Sequence, residues 1–263
     1  MEIQRFLDHA IRAASAGATA IREASQHPRE VTAKGFRDYV TNADFASQKA
    51  ILSVIQTSFP DHLILTEESA EAKNLAAWRV PDGYWWIIDP LDGTTNFQLG
   101  NPIHCVSVAL AHGDQLLAGA LVESQRETVF AAGLGVGATL NGQPIHVSTR
   151  AELIEAVASC DWPRSPGLRK LAFETAGRFG NACRTFRSIG SAALGIAYVA
   201  AGWTDIYVHQ SIAPWDCAAA ALIVREAGGV VCRHSGEAWS IMDADFIATT
   251  PALKDAAAQL AQG

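Results

Sequence analysis

The sequence predicts a mixed α+β and α/β protein, and three patterns carry that prediction. A helical apolar period opens the chain, short turn-punctuated apolar runs fill residues 105–147, and strand and helix patterns alternate beyond about residue 150. With 263 residues, 49% hydrophobic and 18% charged, the chain can build one large domain or two fused ones around a buried core. A boundary is expected near residue 148. It separates an N-terminal α+β half (1–148), with an antiparallel sheet, from a C-terminal α/β half (149–263).

Residues 3–24 place Phe6, Leu7, Ala10, Ile11, Ala14, Ala18 and Ile21 at helical spacing, with Gln4, Asp8, Arg12 and Glu23 on the other faces. After Pro28 a polar segment leads through Asp38 to Asp44, and a second helix is expected from about Phe45 to Phe59, stopped by Pro60-Asp61. Residues His62 to Thr66 read as a strand ending at Glu67-Glu68, and Tyr84 to Ile88 as a strand ending at Asp89. Two strands therefore finish in carboxylates. Strands follow at Val106 to Ala111, Leu116 to Val122 and Thr128 to Ala132. Asn141-Gly142 then joins Ala138–Leu140 to Pro144–Val147 as a hairpin. Beyond it come a strand at Ala156 to Cys160, helices at 167–179 and 191–201, a strand at 204–208, a helix at 216–227 and a strand at 229–233. The glycines Gly133, Gly135 and Gly137 lack dinucleotide-loop spacing and lead toward a hairpin, so they are read as a turn without chemistry.

The net charge of −7 and the absence of a Lys/Arg run argue against nucleic acid as a partner. Five cysteines, odd in number and without C-x-x-C spacing, suggest buried reduced thiols and a cytoplasmic protein. Glu2, Arg5, Asp8 and Arg12 interrupt any signal-peptide core, and no run approaches the roughly 18 apolar residues of a membrane helix. No membrane association is expected.

The densest chemistry lies in Trp86-Ile87-Ile88-Asp89-Pro90-Leu91-Asp92-Gly93-Thr94-Thr95-Asn96-Phe97. An apolar run ends in two carboxylates three apart across a proline, so that Asp89, Asp92 and the Leu91 carbonyl can be aimed at one point. Hard oxygens in that arrangement suit Mg²⁺. Gly93 permits close backbone approach, and a helix beginning at Thr94 would face an anion such as phosphate with free N–H groups. Asp216, in Pro214-Trp215-Asp216-Cys217, opens a later helix. Alone it reads as an N-cap. Together with Asp44, Glu67, Glu68, Asp89 and Asp92 it forms a set of carboxylates at element ends, and their mutual repulsion calls for a cation.

These blocks closely resemble the inositol monophosphatase family, within the lithium-sensitive, Mg²⁺-dependent phosphatases that include fructose-1,6-bisphosphatases. The matching stretches are Asp38-x-Val40-Thr41-x-x-Asp44, Glu67-Glu68-Ser69, Asp89 to Phe97, Gly190-Ser191-Ala192-Ala193, Trp215-Asp216-x-Ala218-Ala219 and Glu226 to Gly229. The resemblance implies a layered αβαβα sandwich, a homodimer and two or three Mg²⁺ ions per site. It gives one ion to Glu67, Asp89 and the Leu91 carbonyl, and a second to Asp89, Asp92 and Asp216. A weaker third lies near Glu67, with Asp44 reached through water. Thr94, paired with Asp44, would activate the attacking water. The N–H groups of Gly93, Thr94 and Thr95 would hold the phosphate, and Ser191 and Ala192 would border the leaving group.

The resemblance also implies a phosphomonoesterase for a small polyol or sugar phosphate. Inositol-selective members carry a glutamate seven residues before the aspartate that follows tryptophan; here that position is His209, which departs from inositol recognition. Fructose 1,6-bisphosphate, histidinol phosphate and 3′-phosphoadenosine 5′-phosphate are the alternative substrates, and a catalytically silent binding protein is the alternative class. Glu68 is expected to point away from Glu67 on an extended chain, and Asp38 to be a turn residue. Asp161, Trp162 and Arg164 fall in a loop able to supply specificity.

Overall fold

A computed structural model describes residues 1–36, 38–69 and 72–263, leaving out the side chains of residues 73, 76 and 77. Helix α1 (Glu2–Ala24) buries Phe6, Leu7, Ala10, Ala14, Ala18 and Ile21, most of the stripe read from the sequence. Strands β1 (Val31–Gly35) and β2 (Asp38–Thr41) form an antiparallel hairpin that the sequence did not reveal. Helix α2 (Asn42–Ser58) starts three residues before the expected Phe45. Its start follows a reciprocal cap: the Thr41 hydroxyl accepts the Ala43 N–H, and the Asp44 carboxylate accepts the Thr41 N–H at 2.8 Å. Helices α1 and α2 approach closely at Gly17, where a Cβ would lie 2.7 Å from Ser47 Oγ and 2.9 Å from Ile51.

A seven-stranded sheet follows, ordered as β3 (Leu63–Thr66), β4 (Tyr84–Asp92), β5 (Cys105–His112), β6 (Gln115–Glu123), β7 (Thr128–Gly133), β8 (Gly137–Leu140) and β9 (Gln143–Pro144). Among the described residues of this sheet, only β3 and β4 pair in parallel. The short helix α3 (Thr94–Gln98) leaves the end of β4, starting at the predicted residue. Asn141 and Gly142 take φ of 51° and 76°, as a two-residue hairpin turn of this type requires. The β9 strand stops at Pro144 rather than reaching Val147. Gly135 and Gly137 lie in the β7–β8 turn, where their N–H groups donate to Glu226.

The second sheet has five strands, in the order β11 (Thr185–Arg187), β10 (Val157–Cys160), β12 (Ile206–His209), β14 (Phe246–Thr249) and β13 (Val230–Cys232). Strand β14 was not anticipated. It inserts antiparallel between β12 and β13, so this sheet is mixed and not the parallel sheet of a simple α/β unit. The remaining helices are α4 (Pro166–Ala182), α5 (Ala192–Ala200), α6 (Pro214–Glu226) and the unanticipated α7 (Lys254–Gln262).

Three apolar clusters define the layers. Helices α1 and α2 pack on one face of the seven-stranded sheet through Ile21, Ile51, Trp86 and Val108. Helices α5 and α6 lie between the two sheets, joining Trp85 and Phe130 to Tyr207 and Phe246. On the far face of the five-stranded sheet, Phe179 of α4 and Ala257 of α7 cover Ile206 and Ile247. The result is the αβαβα sandwich. Helix α6 is buried on nearly all sides, which explains its run of four alanines: small residues let both sheets approach it closely. At Gly119 a Cβ would come within 2.9 Å of the Ala219 carbonyl oxygen. Among the described residues, no helix is long and apolar enough to cross a membrane.

Candidate active site

The site is built on the end of β4. Trp85 to Ile88 are buried on both faces, but the strand runs on through Pro90 to Asp92 instead of ending at Asp89. Asp89 opposes Ser107 and Asp92 opposes Cys105, so three steps on β4 match two on β5. That bulge tolerates Pro90, which has no N–H for the ladder, and re-aims the side chains around it. The Asp89 carboxylate accepts the Leu91 N–H at 2.9 Å, tightening the turn. Ser47 of α2 donates to the Pro90 carbonyl at 2.7 Å and pins it from below.

Helix α6 brings Asp216 to the same place. The helix begins at Pro214, two residues earlier than expected, so Asp216 is its third residue and not its cap. Its carboxylate reaches back to accept the Ala213 N–H at 3.2 Å. Carboxylate oxygens of Asp89, Asp92 and Asp216 lie within 4.8 Å of one another. Burial is the main force raising the pKa of all three; neighbouring carboxylates add to it, Glu67 and Asp92 for Asp89, Asp216 for Asp92, and Glu67 for Asp216.

Asp92 is held by four donors. Ser191 Oγ makes a short hydrogen bond to it, the Ala192 and Ala193 N–H groups donate at 3.2 and 3.0 Å, and Cys105 Sγ lies 3.8 Å away. The carboxylate thus caps the N-terminus of α5 from outside the helix. Ser191 and Ala192, expected beside the leaving group, direct their hydroxyl and N–H to Asp92. The serine within a Gly-Ser-Ala-Ala block was the legible signal; its target was not.

Gly93 has φ 92°, and a Cβ there would meet the Ile103 and Gly190 carbonyl oxygens at 3.0 and 3.2 Å, so the turn into α3 requires glycine. Thr94 Oγ1 lies 3.1 Å from the Leu91 carbonyl oxygen and 3.4 Å from Asp44, which brings the expected Thr94–Asp44 pair together. Asp44 also accepts the Thr41 hydroxyl at 2.6 Å, and burial pushes its carboxyl up to about 7. Thr95 follows in the first turn of α3.

Glu67 stands apart from the three-carboxylate group. Its Oε1 lies 3.2 Å from Lys34 Nζ and 3.3 Å from Arg164 Nη2. Glu68 does not point away: it takes the same lysine at 2.6 Å, because β3 ends at Thr66 and the chain is already turning. Asp38 begins β2, and its carboxylate lies 3.2 Å from Arg164 and 3.8 Å from Lys34. Lys34 carried no sequence signal, since a lone lysine in a polar segment resembles any solvated one. His209 ends β12, is 6% exposed, and has its ring stacked parallel to Tyr207; its Nδ1 accepts the Ser211 N–H at 3.1 Å, and burial lowers its pKa to about 4. It is therefore a neutral imidazole at neutral pH, without the positive charge that a histidine at this position could have brought.

Three clustered carboxylates, Asp89 and Asp92 buried and Asp216 half-buried, with hard oxygens and pKa values raised by desolvation and by one another, fit a divalent cation such as Mg²⁺. The adjoining Leu91 carbonyl offers a fourth oxygen of the same kind. All five cysteines are buried and free, and none belongs to this group of ligand oxygens.

Residues 2–263 match the inositol monophosphatase family. The chain is 37% identical to Nus factor SuhB of Pasteurella multocida, covering 94% of this chain and 91% of that protein. It is 38% identical to the chloroplastic phosphatase IMPL1 of Arabidopsis thaliana, covering 92% and 66%. Its fold superposes on an IMPase of Thermotoga maritima with a TM-score of 0.88 at 32% identity, covering 98% and 97%. With the layered sandwich and the carboxylate group at the end of β4, these matches place the chain in the inositol monophosphatase family.

Proposed function

We propose that the protein is a Mg²⁺-dependent phosphomonoesterase that hydrolyses a small polyol or sugar phosphate. The observation that carries this reading is the convergence of Asp89, Asp92 and Asp216 beside a threonine hydroxyl set between Asp44 and the Leu91 carbonyl. Asp89, Asp92 and Asp216 would hold the cation, with the Leu91 carbonyl and Glu67 completing the ligand set once Glu67 leaves Lys34 and Arg164. A divalent cation held there neutralises phosphate oxygens and acidifies the attacking water. The chain supplies the rest. Thr94 orients the water through its hydroxyl, and Asp44, raised toward neutrality by burial, is placed to take up a proton through that hydroxyl. The N–H groups of Gly93, Thr94 and Thr95 offer donors to the phosphate. The reading extends to a cytoplasmic homodimer and to inhibition by lithium.

His209 in place of a glutamate favours substrates other than inositol phosphate. Relatives named Nus factor SuhB support a second reading, in which the chain acts by binding a partner on the same fold. Mg²⁺-dependent phosphate release separates the two. The panel is inositol 1-phosphate, fructose 1,6-bisphosphate, histidinol phosphate and 3′-phosphoadenosine 5′-phosphate, with Asp89→Asn as the blank. Turnover of any member that vanishes in the blank supports the enzyme; Mg²⁺ binding with no turnover of any member supports the binding role.

A further inference from the structure

Asp161 follows β10 and is 8% exposed, yet no ion pair neutralises it among the described residues. The contrast is with Asp205, whose buried carboxylate meets Arg150 at 2.9 Å. Asp161 meets neutral donors: the Gly190 N–H at 2.8 Å, the Ser188 hydroxyl at 3.1 Å and the Tyr207 hydroxyl at 3.4 Å, with the Ile189 N–H also facing it. Burying a carboxylate on such terms is costly, and burial indeed pushes it up to about 6. Apart from Tyr207, these donors all belong to one short turn, Ser188 to Gly190.

That turn is gripped from the opposite side as well. Asn96 Nδ2 of α3 donates to the Ile189 carbonyl at 2.8 Å and to the Ile103 carbonyl at 2.7 Å. Gly190 has φ 80°, and a Cβ there would stand 2.9 Å from Asn96 Nδ2. Its carbonyl oxygen lies against Gly93, 3.2 Å from where a Cβ would be. The next three residues, Ser191, Ala192 and Ala193, are three of the four donors that hold Asp92. One short segment therefore links Asp161 to a candidate cation ligand and packs against the proposed phosphate turn.

We infer that Asp161 is a positioning residue: by holding Ser188 and Gly190 it fixes the 188–193 segment, and so sets the orientation of Asp92 and the fit of Gly190 against Gly93. It touches neither substrate nor cation. Charge-assisted bonds are about twice as strong as neutral ones, which is what a carboxylate offers here over an amide. The kinetic part of this inference rests on the phosphatase reading above; the structural part does not.

The test compares the wild type with Asp161→Asn, which can keep an oxygen for Ser188 and Gly190 but removes the charge that strengthens those bonds and replaces the oxygen facing Tyr207 with an amide nitrogen. Three quantities are read: hydrogen exchange of the 188–193 amides in EDTA, Mg²⁺ half-saturation from tryptophan fluorescence, and kcat and KM on the phosphate panel. Faster exchange confined to 188–193 is expected, with Mg²⁺ half-saturation raised and kcat lowered by about 10-fold or more, the lower end of what residues supporting metal ligands show. KM should change by less than about 3-fold, because substrate binding is not the interaction removed. Unchanged exchange, Mg²⁺ affinity and kcat would overturn the inference, as would a raised KM with kcat intact, the signature of a substrate contact. If Asp161→Asn does not fold, Ser188→Ala removes one of the same bonds without altering the buried charge, and is held to the same direction of change. A wild type that binds Mg²⁺ but turns over no substrate defeats the phosphatase reading, while exchange and Mg²⁺ affinity still decide the role of Asp161.

Discussion

Asp216→Asn should stabilise the protein without metal while abolishing its response to Mg²⁺. The cause is the repulsion among Asp89, Asp92 and Asp216. At the 4.8 Å limit of their separation, and with an effective dielectric of about 20, each charged pair costs about 3.5 kcal/mol. Shared protons relieve part of this, so neutralising Asp216 should raise stability in EDTA by about 2–4 kcal/mol, the worth of roughly one pair. Asparagine keeps an oxygen for the Ala213 N–H, so the start of α6 is preserved. For a chain of this size the gain corresponds to a Tm rise of about 5–10 °C.

The pH dependence follows from the direction of the shift. The folded-state pKa of Asp216 lies above the unfolded value, so the folded state takes up protons and wild-type stability falls as pH rises from about 4 through the folded pKa. The advantage of Asp216→Asn should thus be small at pH 4 and largest above pH 7. Thermal melts in EDTA and in excess Mg²⁺, at both pH values, check this. Excess Mg²⁺ should raise the wild-type Tm and leave the variant unmoved. A variant less stable than wild type in EDTA at pH 8 would show that the three carboxylates do not repel one another as the geometry requires.

Thr94→Ala should lower kcat by about 10²–10⁴-fold with little change in Tm, while Thr94→Ser should recover most of the activity, because only the hydroxyl between Asp44 and Leu91 is needed. Steady-state kinetics on whichever panel substrate is preferred reads this directly. Gly17→Ala should destabilise by about 1–3 kcal/mol by pushing α1 away from Ser47 and Ile51, seen as a lower urea midpoint, with kcat of the folded protein little changed. His104 and His209 both have pKa values lowered to about 4 by burial, so each contributes stability above pH 6.5 that is lost as pH falls from 6.5 toward 4. Replacing His104 with glutamine should flatten the fall in urea midpoint between pH 7 and pH 5; an unchanged slope would remove His104 as a cause.

Much of the architecture was legible because it is written in local patterns. The 3.6-residue period of α1, the Asn141-Gly142 turn and the alternation of strands from Cys105 onward depend on neighbours in sequence, and the folded chain keeps them. The hairpin of β1 and β2 and the inserted β14 left no such trace: β1 is exposed along its length, so its short Val31-Thr32-Ala33-Lys34 alternation faces no core, and β14 is a four-residue strand placed by its partners on either side.

The site divides in the same way. Asp89, Asp92 and Gly93 sit within five residues, so a bulge and a turn suffice to bring their chemistry together, and the sequence alone determined that these residues form one group. The partners of that group come from far along the chain. Ser191 acts on Asp92 across 99 positions and Arg164 on Glu67 across 97. No local propensity encodes which carboxylate a distant serine or arginine will meet, because that choice is made by elements far apart in sequence: α5, packed between the two sheets, follows Ser191, and the loop between β10 and α4 carries Arg164. Composition and motif therefore determined what kinds of groups this protein brings to the end of β4; the tertiary structure decided which of them touch, which are neutralised by Lys34 and Arg164, and how deeply His209 is buried.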